Sequence, residues 1–199
     1  NRAKFIHDLS TVKDDFSYLK SISLKANTIN LDKSNVSRAV QLCQKTNQFN
    51  LRTSRHSSKE LFDLVKENNA FCTLTKLKDQ YGDHGIVGLF CLKQIDEKNI
   101  FLDTFLVSCR VLGRHFEVWM LYKALKIAKR NGFTNLIGEY IPTEKNILVK
   151  DFLRKHNFKE LKGQYIEVLR QSNFKLNNNS KFYIKNTKET GSPVLDLYG

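Results

Sequence analysis

Nowhere does the sequence carry an apolar run approaching the ~20 residues needed to span a bilayer. Its start, NRAKFIHDLSTVKDD, is charged throughout and has no signal-peptide core. No membrane partner is expected, and the chain reads as cytoplasmic. Cysteine is scarce and badly spaced for metal: residues 43, 72, 91 and 109 form no CxxC pair and lie in apolar segments. That spacing excludes a disulfide frame or zinc site and reads as reduced thiols, with no metal in this domain. There is no internal repeat. Acidic residues are also short, 20 against 33 Lys and Arg, leaving a net charge of +13. An acidic partner is implied. The basic residues are dispersed, with no basic stripe interleaved with aromatics, so nucleic acid ranks last among such partners.

What is present is a core's worth of apolar material, 41% hydrophobic residues with 14 Phe. The length suits one domain with an extension. Alternation predicts a strand over 19–31. Asp32 or Ser34 then caps a helix with Val36, Val40, Cys43 and Asn47 on one stripe. A second helix follows Ser57 or Ser58. Strands are predicted over 70–78, 85–95 and 100–111, the first two joined at YGDHG (81–85). The longest helix runs from about Arg114 to Asn131, its buried stripe being Phe116, Met120, Ala124, Ile127 and Ala128. A strand (134–141), a helix (145–156) and a strand (164–170) follow. The order β-α-α-β-β-β-α-β-α-β predicts an α+β (α/β) class, an antiparallel-leaning mixed sheet with helices packed on it. Residues 172–199 read as a polar C-terminal extension, loosely attached, with FYI (182–184) at most a short edge strand.

VSCRVLGRHFE (107–117) joins a buried strand to the start of the longest helix. Unpaired N–H groups, the helix dipole, Arg110, Arg114 and a turn at Gly113 favour a phosphate or pyrophosphate there. Arg110-x-x-Gly113-x-His115 resembles the R/Q-x-x-G-x-G/A loop of the GCN5-related N-acetyltransferases (GNAT), which holds the pyrophosphate of coenzyme A. The element order is similar to that fold as well. His115 departs from the family's Gly or Ala. In the second signature, N-x₆-Y-x₃-G-F, Asn146 matches, but Leu153 replaces the acid-catalytic Tyr and Asn157 the Gly.

Five ordered segments, KTNQFN (45–50), RTSR (52–55), YGDHGIVG (81–88), DTFLVSCRVLGR (103–114) and GEYIPTEKN (138–146), resemble the C-terminal domain of FkbH-like proteins. The resemblance implies a GNAT-like acyltransferase domain over residues 1–171. In the family that domain is fused to an N-terminal haloacid-dehalogenase-like phosphatase domain, which is absent from this chain. The D-x-D-x-T segment of the phosphatase is missing, and the first residue, Asn1, is expected to be internal to a longer protein. Such proteins are understood to take a glyceryl unit from 1,3-bisphosphoglycerate, dephosphorylate it and load it on an acyl carrier protein as a thioester. Relatives serve polyketide or polysaccharide biosynthesis. The implied partners are thus an acyl carrier protein and the phosphatase half of the same polypeptide. The implied cofactor is phosphopantetheine on the carrier, or coenzyme A.

Site residues follow from both readings. Cys109, beside Arg110 and a helix N-terminus, is either an acyl-carrying nucleophile or a small hydrophobe filling the sheet. His115 is a base for an incoming thiol or a surface cap. Asp103, on Cys109's face by even spacing, is a ligand for a substrate hydroxyl or half of a buried ion pair. Arg110, Gly113, Arg114 and Asn146 are the expected cofactor-binding residues. Asp83 and the polar end of the first helix, Asn47, Gln48, Asn50 and Arg52, are the expected substrate ligands. Amides suit hydroxyls and an Arg suits a carboxylate or phosphate; the alternative is that they cap the helix and order its loop. Three functions compete: transfer of a small hydroxyacyl group to a carrier's phosphopantetheine thiol, coenzyme A-dependent N-acyl transfer to an amino sugar or other amine, and non-catalytic carrier docking.

Overall fold

A computed structural model describes residues 2–12, 14–67, 69–163, 166, 169 and 179–198. Apolar alternation through the middle of the chain builds a seven-stranded sheet in the order β1-β2-β3-β4-β5-β7-β6. The strands are β1 (Lys25–Asn30), β2 (Phe71–Asp79), β3 (Gly82–Gln94), β4 (Asn99–Val107), β5 (Asn135–Tyr140), β6 (Lys159–Glu160) and β7 (Lys181–Asn186). Only β4 and β5 pair in parallel; every other neighbour is antiparallel. This is the mixed, mostly antiparallel sheet flanked by helices that the element order predicts.

The period of two sorts β3 between two layers. Leu89 and Cys91 face α3 (Val36–Lys45) and α4 (Ser58–Lys66), while Phe90 and Leu92 face α5 (Phe116–Arg130). Ser57 caps α4 with a reciprocal Glu60 box. The α3 stripe is Val36, Ala39, Leu42 and Cys43; the helix ends at Lys45, so Asn47 does not extend it. Helix α5 is buried on more than the predicted stripe. Trp119, Leu121, Tyr122 and Leu125 are covered too. Tyr198, from a 3-10 turn at Pro193–Tyr198, lies 5.6 Å from the Trp119 ring and 6.1 Å from Phe116.

Several boundaries are corrected. Residues 19–21 belong to a helix, α2 (Asp15–Ser21), capped by Asp14, with Leu19 and Ile22 buried; the strand begins only at Lys25. A further helix, α1 (Arg2–Thr11), precedes it. The hairpin at 81–85 turns at Gln80–Tyr81, so Gly82 to Gly85 lie inside β3. The helix expected over 145–156 breaks into a 3-10 turn at Ile147–Val149 and one α-turn, α6 (Phe152–Lys155). Leu153 packs so close to the sheet that a Cβ at Gly138 would stand 2.8 Å from it. Most of the strand expected over 164–170 lies outside the described residues. FYI is no edge strand: β7 pairs with β5 on one side and β6 on the other.

One irregularity positions the site. Parallel pairing of β4 and β5 stops at Leu102 and Gly138, although both strands continue. Residues 49–51 fill the gap. Val107 N–H donates to Phe49 O (2.9 Å), Leu51 N–H to Phe105 O (3.2 Å) and Ile141 N–H to Leu51 O (2.9 Å). Backbone groups of both strands that would otherwise be orphaned are satisfied by this insert.

Candidate active site

Strand β4 runs into a 3-10 turn at Cys109–Val111, which lifts Cys109 into solvent; it is the exposed cysteine of the four, the others being buried. Gly113 (φ +91°) and His115 (φ +56°) then turn the chain into α5, whose first turn receives no side-chain cap. Two cavities flank this junction.

The larger, about 540 Å³, is lined by Cys109, Arg110, Asn47 and Gln48, joined by Arg2, Arg38 and Lys45. The sequence-predicted nucleophile and two of the predicted amides are therefore brought together. Among the described residues no carboxylate lines the cavity. Arg38 donates from Nε to Ile86 O (3.0 Å), and burial, then the charge of Arg110, hold it below the usual guanidinium range. Cations that repel one another around an open space attract an anion into it.

The second cavity, about 370 Å³, is lined by Gly113, His115, Glu117 and His156 among apolar walls including Leu112, Val118 and Phe152. Burial pushes the Glu117 carboxyl up, and its Oε2 has no hydrogen-bond partner among the described residues. Burial, helped by Lys185 and His115, pushes His156 down to about 4, so it stays neutral near pH 7. Phe49 lines both cavities, edge-on to Phe152 at 5.0 Å. A Phe within a polar segment carries no sequence signal of such a shared wall. Arg2 and Arg38 were equally invisible, because α1, α3 and the 108–110 turn meet only in space.

Other predicted site residues are corrected. Arg114 is fully buried, its Nε donating to Asp79 at 2.6 Å and its guanidinium 3.7 Å from the Phe5 ring centre, so it cannot reach a cofactor. Asn146, also fully buried, donates to Asn50 O and Ile141 O (3.0 Å each) and accepts from Thr143 N–H (2.8 Å). It ties the 141–146 loop to the insert. Asn50 is spent likewise, on Thr46 O and Thr53 N–H. Arg52 bridges Asp103 (2.7 Å) and Glu139 (2.5 Å), which resolves Asp103 as half of a buried ion pair. Burial raises Asp103, but hydrogen bonding and charge from His56 and Arg52 outweigh it and hold the carboxyl at about 2. Asp83 accepts from Gly85 N–H and lies beside Lys25 and Lys78, apart from both cavities.

No family model matches the chain, and no curated protein sequence matches it. Solved structures do. An acetyltransferase of the GNAT family from Staphylococcus aureus Mu50 superposes with a TM-score of 0.61 at 18% identity, over 81% of this chain and 99% of that one. A Mycobacterium tuberculosis protein solved with coenzyme A gives 0.60 at 15% identity, over 80% and 98%. A spermidine N-acetyltransferase from Vibrio cholerae gives 0.57 at 12%, over 83% and 96%. The chain has the GNAT fold. Among the described residues no helix is long and apolar enough to cross a membrane, and no group of three or more His, Cys, Asp or Glu is placed to hold a metal.

Proposed function

We propose that this domain is an acyltransferase of the FkbH-like kind, moving a small hydroxyacyl group to the phosphopantetheine thiol of an acyl carrier protein, with Cys109 as the transient acyl carrier. The observation that carries the reading is the larger cavity: an exposed thiol beside Arg110, among Arg38, Lys45 and the amides of Asn47 and Gln48, with no carboxylate among the described lining residues. Those groups suit an acyl phosphate with hydroxyls. The Cys109 thiolate attacks the acyl carbonyl, the carbon–oxygen bond to phosphate breaks, and inorganic phosphate leaves. The carrier thiol, deprotonated by His115, then attacks the new thioester, and Cys109 departs as thiolate.

A phosphopantetheine arm fits the second cavity better than the expected residues would suggest. Arg114 is sealed in the core, and Asn146 is committed elsewhere. The uncapped first turn of α5 remains for the phosphate, and Phe49, Leu112, Val118 and Phe152 for the apolar stretch. Leu153 packs on Gly138 and has no proton to donate, so Glu117, buried at the same cavity, is the acid available.

The test is intact mass after incubation with 1,3-bisphosphoglycerate and a holo-carrier. A phosphoglyceryl or glyceryl adduct is expected on the protein and then on the carrier; Cys109→Ser abolishes the first. Transfer at full rate by that variant removes the covalent step. No adduct on either protein, where a known relative gives one, overturns the substrate.

A second reading, coenzyme A-dependent N-acyl transfer to an amine, is favoured by the second cavity's position at the Gly113–His115 loop. Incubation with acetyl-coenzyme A and an amine acceptor separates the two, since an N-acetylated product is expected only for the second.

A further inference from the structure

Ile147 and Leu148 are 68% and 60% exposed, the most exposed of the large apolar side chains described. Single exposed leucines are ordinary; this adjacent pair is not a loose loop end. The turn that carries them is pinned on both sides, by fully buried Asn146 with its three hydrogen bonds and by fully buried Val149. The backbone closes beneath them, Val149 N–H donating to Asn146 O (3.0 Å) and Lys150 N–H to Ile147 O (3.1 Å). A rigid apolar ridge is thus held in water with nothing among the described residues covering it.

Its surroundings point to the occupant. Lys145 and Lys150 flank the ridge directly, and Arg154 and Lys155 follow on α6, all exposed. Of the two carboxylates in the same stretch, Asp151 is already paired with Arg154 at 2.8 Å, leaving Glu144. The ridge is also the rim of a cavity, because Leu148 lines the space that holds His115 and Glu117. An apolar ridge in a basic frame beside a cavity mouth fits a partner with an acidic face, an apolar notch and a flexible arm.

We propose that the turn at 145–150 is the docking ridge for an acidic acyl carrier protein: Ile147 and Leu148 seat in an apolar notch, Lys145 and Lys150 face its carboxylates, and its arm enters past Leu148. The inference rests on the acyl-transfer reading for the partner's identity, but the surface can be tested without turnover.

The experiment is fluorescence anisotropy of a dye-labelled holo-carrier titrated with the protein, with Ile147→Asp/Lys150→Glu as the variant; neither residue lines the two cavities, and both are exposed. Binding is expected to weaken roughly tenfold or more in the variant, and in wild type on raising salt. Equal binding by wild type and variant, or no wild-type binding at low salt, overturns the ridge. Sedimentation of the protein alone adds a third outcome: a dimer that the variant abolishes would assign the ridge to a second copy and overturn the carrier. In parallel, transfer to free pantetheine reports the chemistry. No wild-type carrier binding with retained transfer to pantetheine sinks the docking surface only; wild-type binding without transfer to either thiol sinks the acyl-transfer reading only.

Discussion

Arg52 is clamped between two strands, its Nε 2.5 Å from Glu139 on β5 and its Nη1 2.7 Å from Asp103 on β4, just where those strands stop pairing. The guanidinium also lies 4.9 Å from the Phe101 ring centre. Arg52→Ala would leave two carboxylates facing each other with little water. We expect a loss of ~3–5 kcal/mol in urea unfolding. A loss under ~1 kcal/mol would mean the carboxylates find other partners.

The same cluster sets an acid limit. Asp103 is held at about 2 against an ordinary 3.8. Its folded pKa is lowered, so the stability it contributes is present above about pH 4 and lost as pH falls toward 2. The shift corresponds to ~2 kcal/mol. The stability gap between wild type and Asp103→Asn should therefore shrink by about that amount between pH 5 and pH 2, followed by thermal unfolding. A gap independent of pH would contradict the pairing.

Of the four cysteines, Cys109 is exposed, while burial pushes Cys43 up to about 11 and Cys91 well above its ordinary value. Iodoacetamide on the folded protein should give one fast modification, mapped to Cys109 by peptide mass, roughly tenfold or more ahead of the rest. Uniform labelling would place Cys109 among the core thiols. Cys109→Ser itself should change stability by less than ~0.5 kcal/mol, as exposed sites do.

Asn146→Ala separates a structural role from a ligand-binding one. Removing the side chain strands Asn50 O, Ile141 O and Thr143 N–H, at a cost of ~2–4 kcal/mol. The KM for the thiol acceptor should stay near wild type in the folded fraction. A raised KM with unchanged stability would return Asn146 to the cofactor.

Phe49 packs edge-on to Phe152 and tilted to Phe105, and it lines both cavities. Phe49→Ala should cost ~3–5 kcal/mol in unfolding. It should also widen the shared wall of the two cavities, so that a thiol arm reaches Cys109 more readily from the His115 side. Faster release of acyl-Cys109 to free pantetheine, measured by mass after isolating the adduct, is the expected sign; slower release would place the acceptor on the other side of the ring.

Much of this architecture was readable locally. The period-two segments at 70–78, 85–95 and 100–111 are β2, β3 and β4, and the amphipathic stretch from Arg114 is α5, because pleat and helix each impose a short-range pattern. Where the reading slipped, long-range packing had overridden that pattern. Leu19 alternates with polar neighbours yet turns with a helix, and FYI looked like an edge because its partner strand, β5, lies more than 40 residues earlier in the chain.

The site divides along the same line. By itself the sequence determined the strand-to-helix junction, its Cys109, Arg110 and Gly113, and the unusual load of amides at 44–50, all set by neighbours within one turn. Only the tertiary structure decided which of them line a cavity. The β4–β5 gap had backbone groups to satisfy, so residues 49–51 were drawn into it. Arg52, Asn50 and Asn146 were spent holding them there, and Asn47 and Gln48 were left facing Cys109.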